Sequence, residues 1–166
     1  MAVRVNVTGA RELQAALKLA GDRAELAARA ALYQEAERVM AASKQEAPVG
    51  VDGVLRASGF VELPKRVGQG WRVTLGYGGA SKSYAAVIHE GRKPGSMPPS
   101  KALEPWVRKK LGVPSNEVRS VAYLVARKIK MQGTAPTKFL EKPLRAAVPG
   151  MADRMARSIR RQVERK

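Results

Sequence analysis

His89 is the only histidine of the chain and Glu90 stands beside it, so this pair is the first place to look for acid–base chemistry. General acid–base work needs both groups aimed at one substrate, whereas neighbours on a helix point about 100° apart. The pair is expected not to form a dyad. A lone histidine is also too little for a metal site, and with no cysteine in the chain disulfides and thiolate zinc sites do not arise. A second candidate is Gly76-Tyr77-Gly78-Gly79-Ala80-Ser81-Lys82-Ser83, rich in glycine and ending in Lys-Ser. A phosphate-cradling Walker loop needs glycine directly before that Lys-Ser pair, and Ser81 occupies the position. The plainer reading is a turn leaving a strand. Ser58 follows Arg56-Ala57 and precedes Gly59, which misses the Gly-x-Ser-x-Gly elbow of a nucleophilic serine. The sequence thus offers no catalytic, cofactor-binding or metal-ligating set, and the expectation is a protein that is not an enzyme and holds no cofactor.

Charge is the stronger signal. The 166 residues carry a formal net charge of +17, and the part after residue 98 holds 17 basic against 5 acidic side chains. Such a surface seeks nucleic acid, an anionic membrane or an acidic protein. No apolar run approaches the roughly 18 residues of a membrane span, and the start alternates as a strand does rather than as a signal peptide, so a cytoplasmically made product without membrane contact is expected. The last segment concentrates the charge: Arg154, Arg157, Arg160, Arg161 and Arg165 recur every three or four residues opposite Met151, Met155, Ile159 and Val163. A solvated helix face is the ordinary reading; contact with DNA or with an acidic partner is the functional one. Phosphate contacts of this kind are sequence-independent and salt-sensitive. Aromatic residues make up only 5% of the chain, which argues against a platform for stacking single-stranded bases.

The elements that would position these residues can be read in order. Val3, Val5 and Val7 alternate with Arg4, Asn6 and Thr8 as a half-buried strand. Leu13, Ala16, Leu17 and Ala20 give a first helical face, and after Gly21-Asp22 a longer helix runs through Leu26, Ala30, Tyr33, Ala36 and Met40 to a stop before Pro48. Its alanines (Ala27, Ala28, Ala30, Ala31, Ala36, Ala41, Ala42) allow close packing on a sheet or another helix. Val54 to Arg66 reads as a strand with Leu55, Phe60, Val61 and Leu63 as burial candidates, and Gly68-Gln69-Gly70 turns it into Trp71–Tyr77 as a hairpin. Tyr84, Val87 and Ile88 at i, i+3, i+4 predict a short helix ending at Gly91. Helices are then expected over Lys101–Leu111, capped by Ser100, over a stripe of Val118, Val121, Ala122, Val125 and Ile129 stopped by Gly133, after Phe139-Leu140, and from Met151 on. The fold class is α+β: a small antiparallel sheet of three to four strands packed on a long N-terminal helix, with additional C-terminal helices.

This order of parts resembles the tail-completion or head–tail joining (neck) proteins of tailed double-stranded DNA bacteriophages. In that family a helix ends in Ala-Pro, here Ala47-Pro48. A Gly-x-Leu-Arg-x-Ser segment follows, here Gly53-Val54-Leu55-Arg56-Ala57-Ser58. A Tyr-Ala…Glu-x-Gly motif comes next, here Tyr84-Ala85…Glu90-Gly91 without the intervening residue. A Pro-Phe-Leu motif opens the terminal helix, here with two residues between Pro136 and Phe139-Leu140. The resemblance spans residues 10–148, with 92–132 as an elaboration and 149–166 as a basic helical extension. It implies a non-enzymatic virion protein of the phage neck or tail, forming a homo-oligomeric ring and meeting the connector on the portal side, the tail proteins, and non-specifically the packaged DNA. Interface candidates are then Arg92, Lys93, Pro94, Met97 and Pro98 in the Pro/Gly loop, with Phe139 and Leu140. Such a ring needs surfaces that fit between neighbouring copies rather than a catalytic one. The alternative is a basic DNA-binding accessory protein; a phage nuclease lacks the clustered carboxylates it would need.

Overall fold

The computed structural model describes residues 2–5 and 21–164. The expected strand residue Val7, the helix through Leu13, Ala16, Leu17 and Ala20, and Arg165 lie outside the described residues. The architecture is α+β. A long helix, α1 (Asp22–Glu46), packs on an antiparallel sheet, and several helices follow towards the C-terminus. By its contacts the chain divides into two compact units. The first holds the sheet, α1 and the chain from Phe139 on; the second holds Ala47–Ser58 and Gly79–Lys138.

In the first unit β4 (Gly70–Tyr77) is the central strand. β1 (Ala2–Val5) pairs along one side of it, from Ala2 opposite Gly76 to Val5 opposite Val73. β2 (Gly59–Val61) and β3 (Lys65–Val67) both pair antiparallel with β4, through Val61 opposite Leu75 and Lys65 opposite Arg72. Four residues of advance on this strand thus meet three on β4, a bulge that falls at Leu63-Pro64, where proline has no N–H to give to a ladder. The hairpin closes over the two-residue loop Gly68-Gln69 with Val67 opposite Gly70, and Gly68 takes φ +60°, as the favoured hairpin turns require.

α1 buries its small residues. Ala24, Ala27, Ala28, Ala31 and Ala36 are interior together with Leu32, Val39 and Met40, while Leu26, expected on the apolar face, is 60% exposed. The alanine face lets the backbone of α1 come close to its neighbours, and β2, β4 and two C-terminal helices, α6 (Glu141–Ala147) and α7 (Met151–Glu164), pack against it. Gly59 shows how close: a Cβ there would lie 2.7 Å from Met40 Sδ and 2.6 Å from the end of Lys44. Val73, Leu75 and Tyr77 of β4 complete this core with Phe139 and Leu140. The Tyr77 and Phe139 rings meet edge to face at 5.0 Å, and Tyr77 shares a buried 2.9 Å hydrogen bond with Ser43 of α1. Trp71 lies under the Arg29 guanidinium, 4.6 Å from its ring centre, a cation–π contact.

The second unit is helical. The strand expected from Val54 is instead a single helical turn, α2 (Val54–Ala57), that buries Leu55; Gly53 at φ +65° turns the chain into it, and only from Gly59 does the backbone extend. Leu63, expected in the core, is 70% exposed because the strand breaks there. α3 (Lys82–Glu90) forms where the spacing predicted it, but it buries Ala85 and His89, whereas Tyr84 and Val87 face outward. α4 (Ser100–Leu111) and α5 (Val118–Gln132) make a hairpin around Val107, Val118 and Ala122, with Leu103, Val113, Val121 and Val125 packed on them. Ser100 is the first residue of α4, and Pro99 takes the capping position.

Phe139 is 2% exposed. Phe139→Ala is expected to lose about 3–5 kcal/mol, the usual cost of emptying an aromatic core site, whereas Leu63→Ala should fall within about 0.5 kcal/mol of wild type. Urea unfolding of both variants checks this.

Candidate functional site

Three regions could carry function: the His89-Glu90 end of α3, the loop that follows it, and the arginines of α7. The first is a structural joint. His89 is 2% exposed, and its Nδ1 lies 2.9 Å from Glu90 Oε1. Against the expectation that the pair forms no dyad, the two side chains meet: α3 ends at Glu90, and a glutamate with three rotatable bonds there can fold back over the last turn. The same carboxylate takes an ion pair from Lys138 Nζ through its other oxygen. The hydrogen bonds from Lys138 and then from His89 hold Glu90 below the usual carboxylate range.

The chain from 134 to 138 fastens this joint. Thr137 Oγ1 donates to the Ile88 carbonyl at 2.8 Å and the Lys138 amide to that of His89 at 3.0 Å. Lys138 adopts φ +52°, the one non-glycine residue in the left-handed region among the described residues, a conformation that persists only where its surroundings over-determine it. Gly91 (φ +75°) sits so close that a Cβ would lie 2.5 Å from the Thr134 carbonyl oxygen. The two motifs Tyr84-Ala85…Glu90-Gly91 and Ala135-Pro136-Thr137-Lys138 are thus one packed unit.

The Gly53–Ser58 motif is also a set of staples. Arg56 Nε donates to the Ala47 carbonyl at 2.8 Å, and Ser58 Oγ to the Leu55 carbonyl at 2.8 Å. Having used its proton there, Ser58 must accept from the buried hydroxyl of Ser81, to which it is hydrogen-bonded. Neither serine is placed as a nucleophile. Among the described residues no group of three His, Cys, Asp or Glu side chains could hold a metal ion, and no helix is long and apolar enough to cross a membrane.

The loop after α3 is knitted down at its base. Arg92 and Thr134 exchange backbone hydrogen bonds at 3.0 and 2.8 Å, and Gly95 N donates to the Lys130 carbonyl at 2.8 Å. The Arg92 guanidinium bonds Ser96 through its carbonyl at 2.8 Å and its hydroxyl at 2.5 Å. Of the interface candidates here, Lys93 and Pro94 are exposed, while Arg92, Met97 and Pro98 are half-buried. Phe139 and Leu140 are corrected: both lie in the core of the first unit and present no side chain for another subunit.

On α7 the apolar face expected from the spacing is seen, with Met151, Met155 and Ile159 buried. Its four arginines are not equivalent. Arg154 clasps Glu35 of α1, donating from Nε at 3.0 Å and Nη2 at 2.7 Å to the same oxygen, and also bonds the Ala147 and Pro149 carbonyls at 2.8 and 3.2 Å. It is a structural anchor rather than a free cation, a correction to its assignment as an anion contact. Glu35 pushes the Arg154 guanidinium above its already high ordinary value. Sequence spacing could not find this, since the partners stand 119 residues apart. Arg157, Arg160 and Arg161 are exposed.

The α4–α5 hairpin, whose apolar stripe the spacing predicts, also carries Trp106, Leu111, Tyr123, Leu124 and Met131 at the surface, which the spacing does not mark. An open groove there is lined by Ser100, Lys101, Glu104, Arg119, Ser120, Tyr123 and Leu124. Compared with known proteins, the chain matches no family model, no curated protein and no solved structure.

Two outcomes are expected. Since the folded Glu90 ionises below the ordinary value, its stabilisation is complete above the unfolded value of about 4.3 and fades as the pH falls through the folded one. Glu90→Gln should melt below wild type at pH 7, with the gap closing under acid. Arg154→Ala leaves the buried Glu35 carboxylate with only the more exposed Arg38 and should lower the melting temperature well beyond what Arg160→Ala does.

Proposed function

We propose that this chain is a structural, non-enzymatic virion subunit that assembles with copies of itself into a ring at the neck or tail end of a tailed bacteriophage. The observation that carries this reading is the order and use of the motif segments: Ala47-Pro48, Gly53–Ser58, Tyr84–Gly91 and Ala135–Leu140 recur in the family's order. They serve as internal fasteners and core rather than as chemistry, as expected of a subunit whose product is an assembly. The Ala47 carbonyl takes the Arg56 bond, the Gly91 turn packs on Thr134–Pro136, and Phe139-Leu140 enters the core.

A ring grows head to tail, joining two different patches of each copy. The sheet offers one kind of patch, since β1 on one side and β2 with β3 on the other flank a single central strand, and strand edges accept further backbone pairing. β3 carries Lys65 and Arg66, both exposed and ion-paired with Glu62 and Glu25, and such charges guard an edge against indiscriminate pairing. The exposed Lys93-Pro94 tip supplies a second contact. Connector and tail proteins would be the neighbours above and below, and the chain would be made in the host cytoplasm before assembly. A second reading, a basic DNA-binding accessory protein, is favoured by the outward arginines of α7.

Sedimentation and negative-stain microscopy of the purified protein, alone and mixed with the connector and tail-tube proteins of the same virion, decide the first reading. A closed ring of one stoichiometry in either sample is expected. A monomer in both would overturn it.

A further inference from the structure

α1 and α7 enclose a cleft that the arginine spacing of α7 alone does not reveal. It is lined by Gln34 and Arg38 from α1 and by Arg157, Ser158 and Arg161 from α7, with the Glu35–Arg154 pair at its wall. We propose that this cleft binds a phosphate group of a nucleic acid backbone. The charge balance points that way. Glu35 is the only acid in the lining, and Arg154 already neutralises it through two nitrogens. Arg38 touches the same carboxylate at 3.2 Å but keeps its side chain 61% exposed. Arg157 and Arg161 have no carboxylate partner among the described residues. Three guanidinium groups therefore face one small space with no counter-charge left.

Like charges at i, i+4, such as Arg157 and Arg161, cost a helix stability by themselves. Local conflicts of this sort are expected where a ligand relieves them. The neutral groups fit as well. Ser158 Oγ donates to Gln34 Oε1 at 3.3 Å, which leaves the Gln34 amide N–H groups to point at an acceptor. The cleft measures about 160 Å³, room for roughly five waters at about 30 Å³ each. That suits one partly hydrated oxyanion and is too small for a nucleotide. The phosphate would enter while sugar and base stay outside, so recognition would ignore sequence. Guanidinium forks match phosphate oxygens in geometry as well as charge.

The inference bears on the second reading above and does not depend on ring assembly. The experiment measures binding of a fluorescently labelled 20-base-pair duplex by anisotropy at two salt concentrations. Three proteins are compared: wild type, Arg38→Ala/Arg157→Ala/Arg161→Ala, and a charge-matched control, Arg119→Ala/Arg127→Ala/Lys128→Ala on α5. The cleft variant should bind at least tenfold more weakly at low salt, with its salt slope reduced by about 1, as expected when one phosphate contact is lost. The control should change by less than about threefold. Equal losses in both triples would show that only net charge matters, and would overturn the site. So would unchanged binding by the cleft variant, or no binding by wild type. Pyrophosphate that raises the wild-type melting temperature without any DNA binding would overturn the assignment to a nucleic acid. Acidic polyglutamate competing for the cleft in DNA's place would do so in favour of a protein partner. Unfolding curves confirm that the cleft variant is folded, since Arg154 and Glu35 are left in place. Sedimentation of the same samples reports assembly separately, so failure of the cleft and failure of the ring are told apart.

Discussion

The shortness of the side chains along one face of α1 is the constraint on which the first unit rests. With Ala24, Ala27, Ala28, Ala31 and Ala36 inward, the helix backbone can lie close to the sheet and also receive α6 and α7. Larger residues at those positions would push the neighbours apart and open voids that the modest side chains of β4 could not fill. Gly59 belongs to the same constraint: where β2 passes Met40 and Lys44 there is no room for a Cβ. Besides the Ser43–Tyr77 hydrogen bond, a charged device is set into this packing, the Glu35–Arg154 clasp. It places a carboxylate that is 5% exposed against a guanidinium, and so fixes which face of α7 turns inward.

The second unit solves a different problem with backbone bonds. Its α3 is short and its following loop rich in glycine and proline, so neither could stand on apolar burial alone. The ladder between Arg92 and Thr134, the Thr137 and Lys138 bonds to the end of α3, and the Glu90 pairs supply what packing does not. Gly133 is needed there because a Cβ would lie 2.0 Å from the Arg92 carbonyl oxygen. Function, on the ring reading, sits on what these fasteners leave outside: the Lys93-Pro94 tip, the strand edges and the basic faces.

The effect of the basic charge is then a matter of placement. On α7 the arginine at 154 is consumed internally and those at 157 and 161 face the cleft with Arg38. The same residue type, three and seven positions further on, does a different job because Arg154 meets a buried carboxylate and the others meet solvent. Electrostatics of this kind is decided by neighbours and dielectric, not by residue identity.

The sequence by itself determined the α+β class, the long helix ending before Pro48, the Trp71–Tyr77 strand with its glycine hairpin, the helical segment before Gly91, and the Met151/Met155/Ile159 face. These follow from periodicity, proline and glycine, which act within a few residues. Tertiary structure alone decided that Val54–Ala57 is a helical turn, that Leu26 and Leu63 stay outside, that His89 rather than Tyr84 is buried, and that Phe139-Leu140 serves the core. It also decided that Glu35 claims Arg154 and that Arg38 joins the α7 arginines. Each of these depends on a partner tens of residues away, and no local pattern encodes the distance between side chains that the fold brings together.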